Sequence, residues 1–295
     1  MVTLQTTPGG RPSVTLERTL AHPPEKVWRA VTAAEELAHW FPAAVTLPEP
    51  PAAGGKITFT FPETGDTSEG EIVGYRPPEV FEFTWNSDLI RIEVSADGAG
   101  SKLVFTHTFN RGEPDLARIA AGRHVTGWIA CLDALAAALD GQDLVRPTDW
   151  HDRMVRWIEE FGLASGEVLA GRVLRFRRDL VWPPAQDVWQ RLPQPPAGAA
   201  VTESRSPEAL AYQWVHDGKP AGEVRWEITA DPLDGVRVEL TQTVPDELAG
   251  HLPDLLALRH EQLDALFAGT FGVHPEPWPE ERVATVRKHY AELLS

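Results

Sequence analysis

Arg18-Thr19-Leu20-Ala21-His22-Pro23-Pro24-Glu25-Lys26-Val27-Trp28 returns later in the chain as Arg178-Asp179-Leu180-Val181-Trp182-Pro183-Pro184-Ala185-Gln186-Asp187-Val188-Trp189, with one residue inserted. Working outward, the stretch from Pro78-Glu79 to Phe83-Thr84-Trp85 answers to that from Pro207-Glu208 to Tyr212-Gln213-Trp214. Thr106-His107-Thr108 answers to Thr241-Gln242-Thr243, and Leu132-Asp133-Ala134-Leu135 to Leu263-Asp264-Ala265-Leu266. The tails correspond as well, Pro147 to Trp150 with Pro275 to Trp278. Five matches in one order are hard to obtain by chance, and they read as a tandem duplication of one domain. The copies are expected at residues 1–165 and 166–295, joined near Ala164-Ser165-Gly166-Glu167.

In the first copy Val14, Leu16, Arg18 and Leu20 share one face of a strand that Pro23-Pro24 stops before a short helix, Glu25 to Val31. Thr32-x-x-Glu35 predicts a capping box opening a second helix toward Trp40-Phe41-Pro42. Strands then follow in series. Ile57, Phe59 and Phe61 alternate with threonines, Phe81, Phe83 and Trp85 with Glu82 and Thr84, Ile90 and Ile92 with Arg91 and Glu93, and Leu103, Phe105, His107 and Phe109 with Val104, Thr106 and Thr108. Such alternation predicts an antiparallel sheet with one buried face. A long helix, starting at Asp115 or at His124 and ending at Leu139, carries Trp128, Cys131, Leu132, Leu135 and Leu139 as its apolar stripe. This order predicts an α+β, helix-grip fold: a curved antiparallel sheet wrapped around a long C-terminal helix, in two tandem copies.

Pro23-Pro24-Glu25-Lys26-Val27-Trp28, the strand ending at Trp85, Leu103-Val-Phe-Thr-His-Thr-Phe109, and Gly127-Trp128 followed by Leu132, Leu135 and Leu139 resemble the activator-of-Hsp90-ATPase-like domain of the START-like (SRPBCC) superfamily. The resemblance covers nearly all of the first copy, and the last strand and the Gly-Trp helix are its most specific parts. One departure is local. The family often has Gly before the Phe of its Thr-His-Thr strand, whereas Phe109 follows Thr108 directly. The resemblance implies a pocket between sheet and terminal helix, and it also implies a chaperone-linked protein partner.

The second copy is shortened. Only a short Pro-rich stretch separates Trp189 from Glu203, so it lacks counterparts to Trp40-Phe41 and to the Phe59 and Phe61 strand. His107 becomes Gln242, and Trp128 aligns near Arg259. A mainly structural role is expected for this copy. An extra helix is expected after each copy, over Trp150 to Phe161 and Pro279 to Leu294.

A net charge of −16 disfavours phosphate backbones and anionic membrane surfaces, so neither nucleic acid nor membrane is expected as a partner. No signal-peptide pattern or membrane-length apolar run appears, which predicts a cytoplasmic protein. A single cysteine excludes an internal disulfide and a Cys-based metal cluster. The ten histidines form no metal signature, and neither a phosphate-cradling Gly-rich loop nor a nucleophile elbow is present. No metal, cofactor or catalytic residue is therefore expected, and a non-catalytic protein is favoured over a cyclase- or hydrolase-like enzyme. Glu69, Glu71 and Glu82 are expected to face solvent.

The inward aromatic set carries the functional reading. Trp40, Phe41, Phe59, Phe61, Phe83, Trp85, His107, Phe109 and Trp128 are the expected ligand-binding residues, with Trp40 and Phe41 near the entrance and His107 at the polar end. The same residues would close a filled core, since core and cavity need the same inward side chains. For His107 by itself, a hydrogen-bonded core histidine is favoured over ligand contact. The leading expectation is non-catalytic binding of a small hydrophobic or amphipathic ligand in the first copy. A chaperone-linked, Hsp90 ATPase activator-like interaction module is the alternative.

Overall fold

Alternation makes each strand one-sided, and register decides which side chains meet on the buried face. The computed structural model describes residues 1–62, 64–143 and 147–295. The chain divides into two units, Met1–Trp157 and Ile158–Ser295.

The first unit runs β1 (Val2–Thr6), β2 (Pro12–Leu20), α1 (Pro24–Thr32), α2 (Ala34–Leu37), β3 (Ala44–Thr46), β4 (Lys56–Thr60), β5 (Thr67–Arg76), β6 (Val80–Trp85), β7 (Asp88–Asp97), β8 (Gly100–Thr108), α3 (Pro114–Ile119) and α4 (Ala121–Leu139). The helix α5 (Trp150–Glu160) spans the division between units. The strands form one antiparallel sheet in the order β1-β2-β8-β7-β6-β5-β4-β3. Register sets two rows across its inner face: Phe83, Ile90, His107 and Val14, then Phe81, Ile92, Phe105 and Leu16. All eight are buried, and α4 covers them with Val125, Trp128, Leu132 and Leu135. Trp128 packs on Phe105 with ring centroids 4.3 Å apart. This is the helix-grip arrangement.

The second unit runs β9 (Glu167–Leu169), β10 (Val173–Asp179), α6 (Ala185–Arg191), β11 (Val201–Arg205), β12 (Ala209–His216), β13 (Lys219–Asp231), β14 (Gly235–Thr243), a 3-10 turn (Asp246–His251), α7 (Leu252–Thr270) and α8 (Glu280–Leu293). Its antiparallel sheet has the order β9-β10-β14-β13-β12-β11. That is the first order with its last two strands removed. The inner rows repeat too: Tyr212, Val224, Gln242 and Leu174, then Leu210, Trp226, Leu240 and Phe176.

Local chemistry explains the turns. Trp85 pairs with Asp88 across Asn86 (φ 50°) and Ser87 (φ 75°), and His216 pairs with Lys219 across Asp217 (φ 48°) and Gly218 (φ 75°). Two successive positive φ values fit a tight hairpin turn whose twist matches the strands it joins. At Gly70 a Cβ would lie 1.9 Å from the Thr84 carbonyl oxygen, so only glycine lets β5 approach β6 there.

Three expectations need correction. Thr32 makes no capping box: its hydroxyl donates to the Trp28 carbonyl at 2.7 Å, and α2 is a single turn without a side-chain cap. The edge strand β1, folded onto β2 from Val2↔Leu16 to Thr6↔Pro12, lies in a stretch for which no element was predicted. Its Thr7-Pro8-Gly9-Gly10 turn was the available signal. Cys131 is half-buried on the flank of the α4 stripe, and burial pushes its thiol up to about 12. Among the described residues, no helix is long and apolar enough to cross a membrane. Glu69 and Glu71 are exposed, and Glu82 pairs with Arg91 at 3.4 Å on the outer face.

The second unit holds a neutral histidine. The Tyr290 hydroxyl accepts from the Gly166 amide at 3.0 Å, which directs its own proton to His260 Nδ1, also at 3.0 Å. Burial pushes the His260 imidazole from 6.5 down to about 4, with Asp264 opposing and the Arg178 and Arg282 cations assisting. The unfolded chain therefore binds the extra proton first, so stability falls as pH drops from about 6.5 to about 4. The window is worth about 3 kcal/mol. His260→Gln should flatten the fall in urea midpoint across that range, and an unchanged slope would contradict this assignment. Cys131 should alkylate with iodoacetamide at pH 8 far more slowly than a free thiol, because its raised pKa leaves little thiolate, and labelling at the rate of a free cysteine would contradict that shift.

Candidate functional site

The inner face of the first sheet gathers the aromatic set around one ring. The Trp40 indole, buried, donates to the Ala30 carbonyl of α1 at 2.9 Å and so fixes the segment between α2 and β3. The next residue, Phe41, is thereby turned inward, where its ring lies 5.3 Å from Trp85, 5.7 Å from Trp128, 5.8 Å from Phe59 and 6.1 Å from Phe83. Phe59 and Trp85 close the set at 5.5 Å, and half-buried Phe61 stacks on Trp85 at 6.1 Å. Phe41 thus stands at the centre of the cluster rather than at its mouth, and it is only 6% exposed. Tilted and edge-on contacts of this kind contribute about 0.5–1.5 kcal/mol each beyond the area they bury.

Two polar atoms border the rings. Trp85 Nε1 and Ser68 Oγ are both buried without a hydrogen-bond partner. Ser68 is the register partner of Phe59 and so shares its face, and Phe59 touches Trp85. An indole N–H can only donate, while a serine hydroxyl can donate or accept. Such buried orphans are uncommon, because each carries an uncompensated desolvation cost of about 1–3 kcal/mol.

His107 belongs to a neighbouring, polar cluster joined to the rings through Trp128. Trp128 Nε1 donates to His107 Nδ1 at 3.0 Å. Indole cannot accept, so the neutral imidazole carries its proton on Nε2, which donates to Asp88 Oδ2 at 2.9 Å. Asp88 Oδ1 in turn accepts from the backbone amides of Asn110 and Arg111 at 2.8 and 3.2 Å. The same loop is held by Arg11, whose guanidinium donates to the carbonyls of Phe109, Arg111 and Gly112. Both nitrogens of His107 are therefore engaged inside the protein, and the residue is 2% exposed. Phe109 lies beside it at 4.4 Å and against His124 at 4.9 Å. Desolvation pushes the His124 imidazole well below 6.5, aided by Arg123 and His107.

The expected residues thus fall into two groups. Trp40, Phe41, Phe59, Phe61, Phe83, Trp85 and Trp128 adjoin one another, while His107 and Phe109 sit in the histidine cluster. Ser68, Asp88 and His124 were missed. His124 lies four residues before Trp128 on one helix face, a usable signal. Asp88 reads as a turn residue until its register with Trp85 is known. Among the described residues, no group of three or more His, Cys, Asp or Glu side chains is placed to hold a metal ion.

His107→Ala would strand the Trp128 indole and leave Asp88 without its donor, costing about 2–4 kcal/mol in chemical denaturation. His107→Gln keeps an acceptor for Trp128 and should cost less than half as much. Equal losses in the two variants would contradict the hydrogen-bond account.

Residues 21–140 match the family described as Activator of Hsp90 ATPase homolog 1-like protein. No curated protein matches the chain. Solved structures with a similar backbone include the conserved protein EF2215 of Enterococcus faecalis, at 18% identity and TM-score 0.47 over 55% of this chain and 90% of that one. Protein MLL2253 of Mesorhizobium loti aligns at 25% identity and TM-score 0.39 over 45% and 99%. CalU16 of Micromonospora echinospora aligns at 18% identity and TM-score 0.41 over 55% and 96%. The family match lies wholly within the first unit.

Proposed function

We propose that the first unit binds a small hydrophobic or amphipathic ligand between its sheet and α4, without catalysis. The observation that carries this reading is the pair of unanswered polar atoms, Trp85 Nε1 and Ser68 Oγ, on the border of an otherwise apolar ring cluster. A ligand oxygen could accept from the indole while its apolar body lies against Phe59, Phe61, Phe83 and Trp128. His107 contributes indirectly, by orienting Trp128. Phe41 is the ring that must yield, since it fills the centre. Exposing it costs about 2–3 kcal/mol, whereas a ligand burying ~300 Å² of apolar surface gains roughly 7 kcal/mol. The exchange is favourable before ordering costs, which supports binding at moderate affinity.

We also propose that the two units descend from one duplicated domain. Equivalent positions make equivalent contacts, which supports that origin. Arg18 meets Asp133 at 3.4 Å and Arg178 meets Asp264 at 2.8 Å. Trp128 donates to His107, and Arg259 donates to Gln242 at 2.7 Å. The second unit lacks β3 and β4, and with them any counterpart of Phe41 and Phe59, so it does not repeat the first site.

A chaperone-linked interaction module is the second reading, and the family match over residues 21–140 favours it. It predicts stimulation of an Hsp90-type ATPase by the purified chain. The ligand reading predicts instead an extra mass in native mass spectrometry that vanishes on denaturation. It further predicts that Trp85→Phe, which keeps a ring but removes the N–H, weakens that ligand about tenfold while the fold persists. Unaltered affinity in Trp85→Phe would remove the indole from the site. A clean native mass together with ATPase stimulation would favour the second reading.

A further inference from the structure

The interior of the second unit contains a cation that no carboxylate answers. Two arginines are buried under its sheet, Arg178 at 3% exposure and Arg259 at 5%. Arg178 is paired with Asp264 at 2.8 Å. Arg259, on α7, has only neutral partners among the described residues: Nε donates to Gln242 Oε1 at 2.7 Å, one terminal nitrogen donates to Gln262 Oε1 at 2.7 Å, and the Tyr212 phenol is a further hydrogen-bond partner. Burial lowers the affinity of this guanidinium for its proton, yet arginine stays charged in proteins. An uncompensated interior charge is among the most expensive features a fold can carry.

Two further donors point the same way. Arginine cannot accept, so Gln242 must turn Oε1 toward it, and this leaves the amide Nε2 free; that atom is buried and has no hydrogen-bond partner. Trp226 Nε1 is likewise buried and unpartnered. Gln242 and Trp226 are both 0% exposed. Register sets Tyr212, Val224 and Gln242 in one inner row, with Trp226 in the next row on the strand of Val224. Arg259 from the helix, and Gln242 and Trp226 from adjacent inner rows of the sheet, thus bring three buried donors to one interior face, with no carboxylate among the partners of Arg259. The equivalent row of the first unit carries Phe83, Ile90 and His107, with Trp128 from the helix, and that interior is filled by Phe41 and Phe59. The second unit has no counterparts to these two rings, and the walls it offers are Tyr212, Trp214, Trp226 and Leu256, all buried.

We propose that the second unit binds the carboxylate of an apolar organic acid between its sheet and α7. The carboxylate accepts from Arg259, Gln242 Nε2 and Trp226 Nε1, and the apolar body occupies the region taken by Phe41 and Phe59 in the first unit. A carboxylate supplies the missing negative charge and offers enough acceptor sites for all three donors. Since the donors are enclosed, binding requires α7 or the segment before β11 to move, and association is slow compared with an open cleft. The site does not depend on ligand binding by the first unit.

The test uses the full chain with decanoate as probe, followed by calorimetric titration and thermal unfolding, with decanol and decyltrimethylammonium as controls. Saturable decanoate binding that depends on Arg259, and that neither control reproduces at that site, is expected. Arg259→Met should weaken decanoate at least tenfold while remaining folded, with a lower unfolding temperature without ligand because Gln242 and Gln262 lose their donor. Trp85→Phe in the first unit should leave this binding intact. Should Arg259→Met fail to fold, Gln242→Leu retains the guanidinium and is expected to weaken decanoate severalfold. The proposal is overturned if wild type shows no decanoate binding, if decanol binds as tightly at the site that Arg259→Met removes, or if Arg259→Met and Gln242→Leu retain full affinity. Loss in Trp85→Phe with retention in the Arg259 variant would assign decanoate to the first unit and overturn it equally.

Discussion

In each unit one hydrogen bond ties the long helix to the middle of the buried sheet face, and the rest of the interior is arranged around it. Trp128 Nε1 donates to His107 Nδ1 in the first unit, and Arg259 Nε donates to Gln242 Oε1 in the second. A helix laid over an apolar sheet can slide or rotate at little cost, since dispersion contacts have no strong direction. A buried donor and acceptor cannot, because misalignment leaves both groups without water and without each other. The bond therefore sets the register of α4 on β8 and of α7 on β14. It also dictates what surrounds it: His107 needs an acceptor for its second nitrogen, which Asp88 supplies, and Asp88 then organises the loop after β8.

The two units solve the same geometric problem with opposite chemistry. In the first, the segment carrying α2, β3 and β4 folds rings inward, and the space under α4 is packed with Phe41, Phe59, Phe83 and Trp85. In the second that segment is absent, the sheet ends at β11, and the helix contributes a guanidinium where the first has an indole. An interior of rings suits an apolar occupant. An interior of donors suits an anionic one. Without that segment the second unit also lacks the side chains that fill the first interior.

Much of this was legible in the chain. The repeat, the strand alternation and the apolar stripe of Trp128, Leu132, Leu135 and Leu139 depend on local periodicity, which a linear sequence carries directly. They were enough for the fold class, the inward residues and the shortened second sheet. Short-range chemistry misled where two partners competed for one group. The Thr32 hydroxyl could cap α2 or bond the preceding turn, and it bonds the Trp28 carbonyl of α1.

What the sequence determined is therefore everything with a repeat length: strands, helices, faces and the correspondence between the two halves of the chain. What only the tertiary structure decided is which atoms answer one another across those faces. That His107 is closed by Trp128 and Asp88, that Phe41 fills a centre rather than guarding a mouth, and that Arg259 meets amides instead of a carboxylate all depend on contacts between residues far apart in the chain. Hydrogen bonds are sensitive to tenths of an ångström and to direction. Periodicity locates a side chain only to a face, so the chemistry of both interiors had to wait for the folded chain.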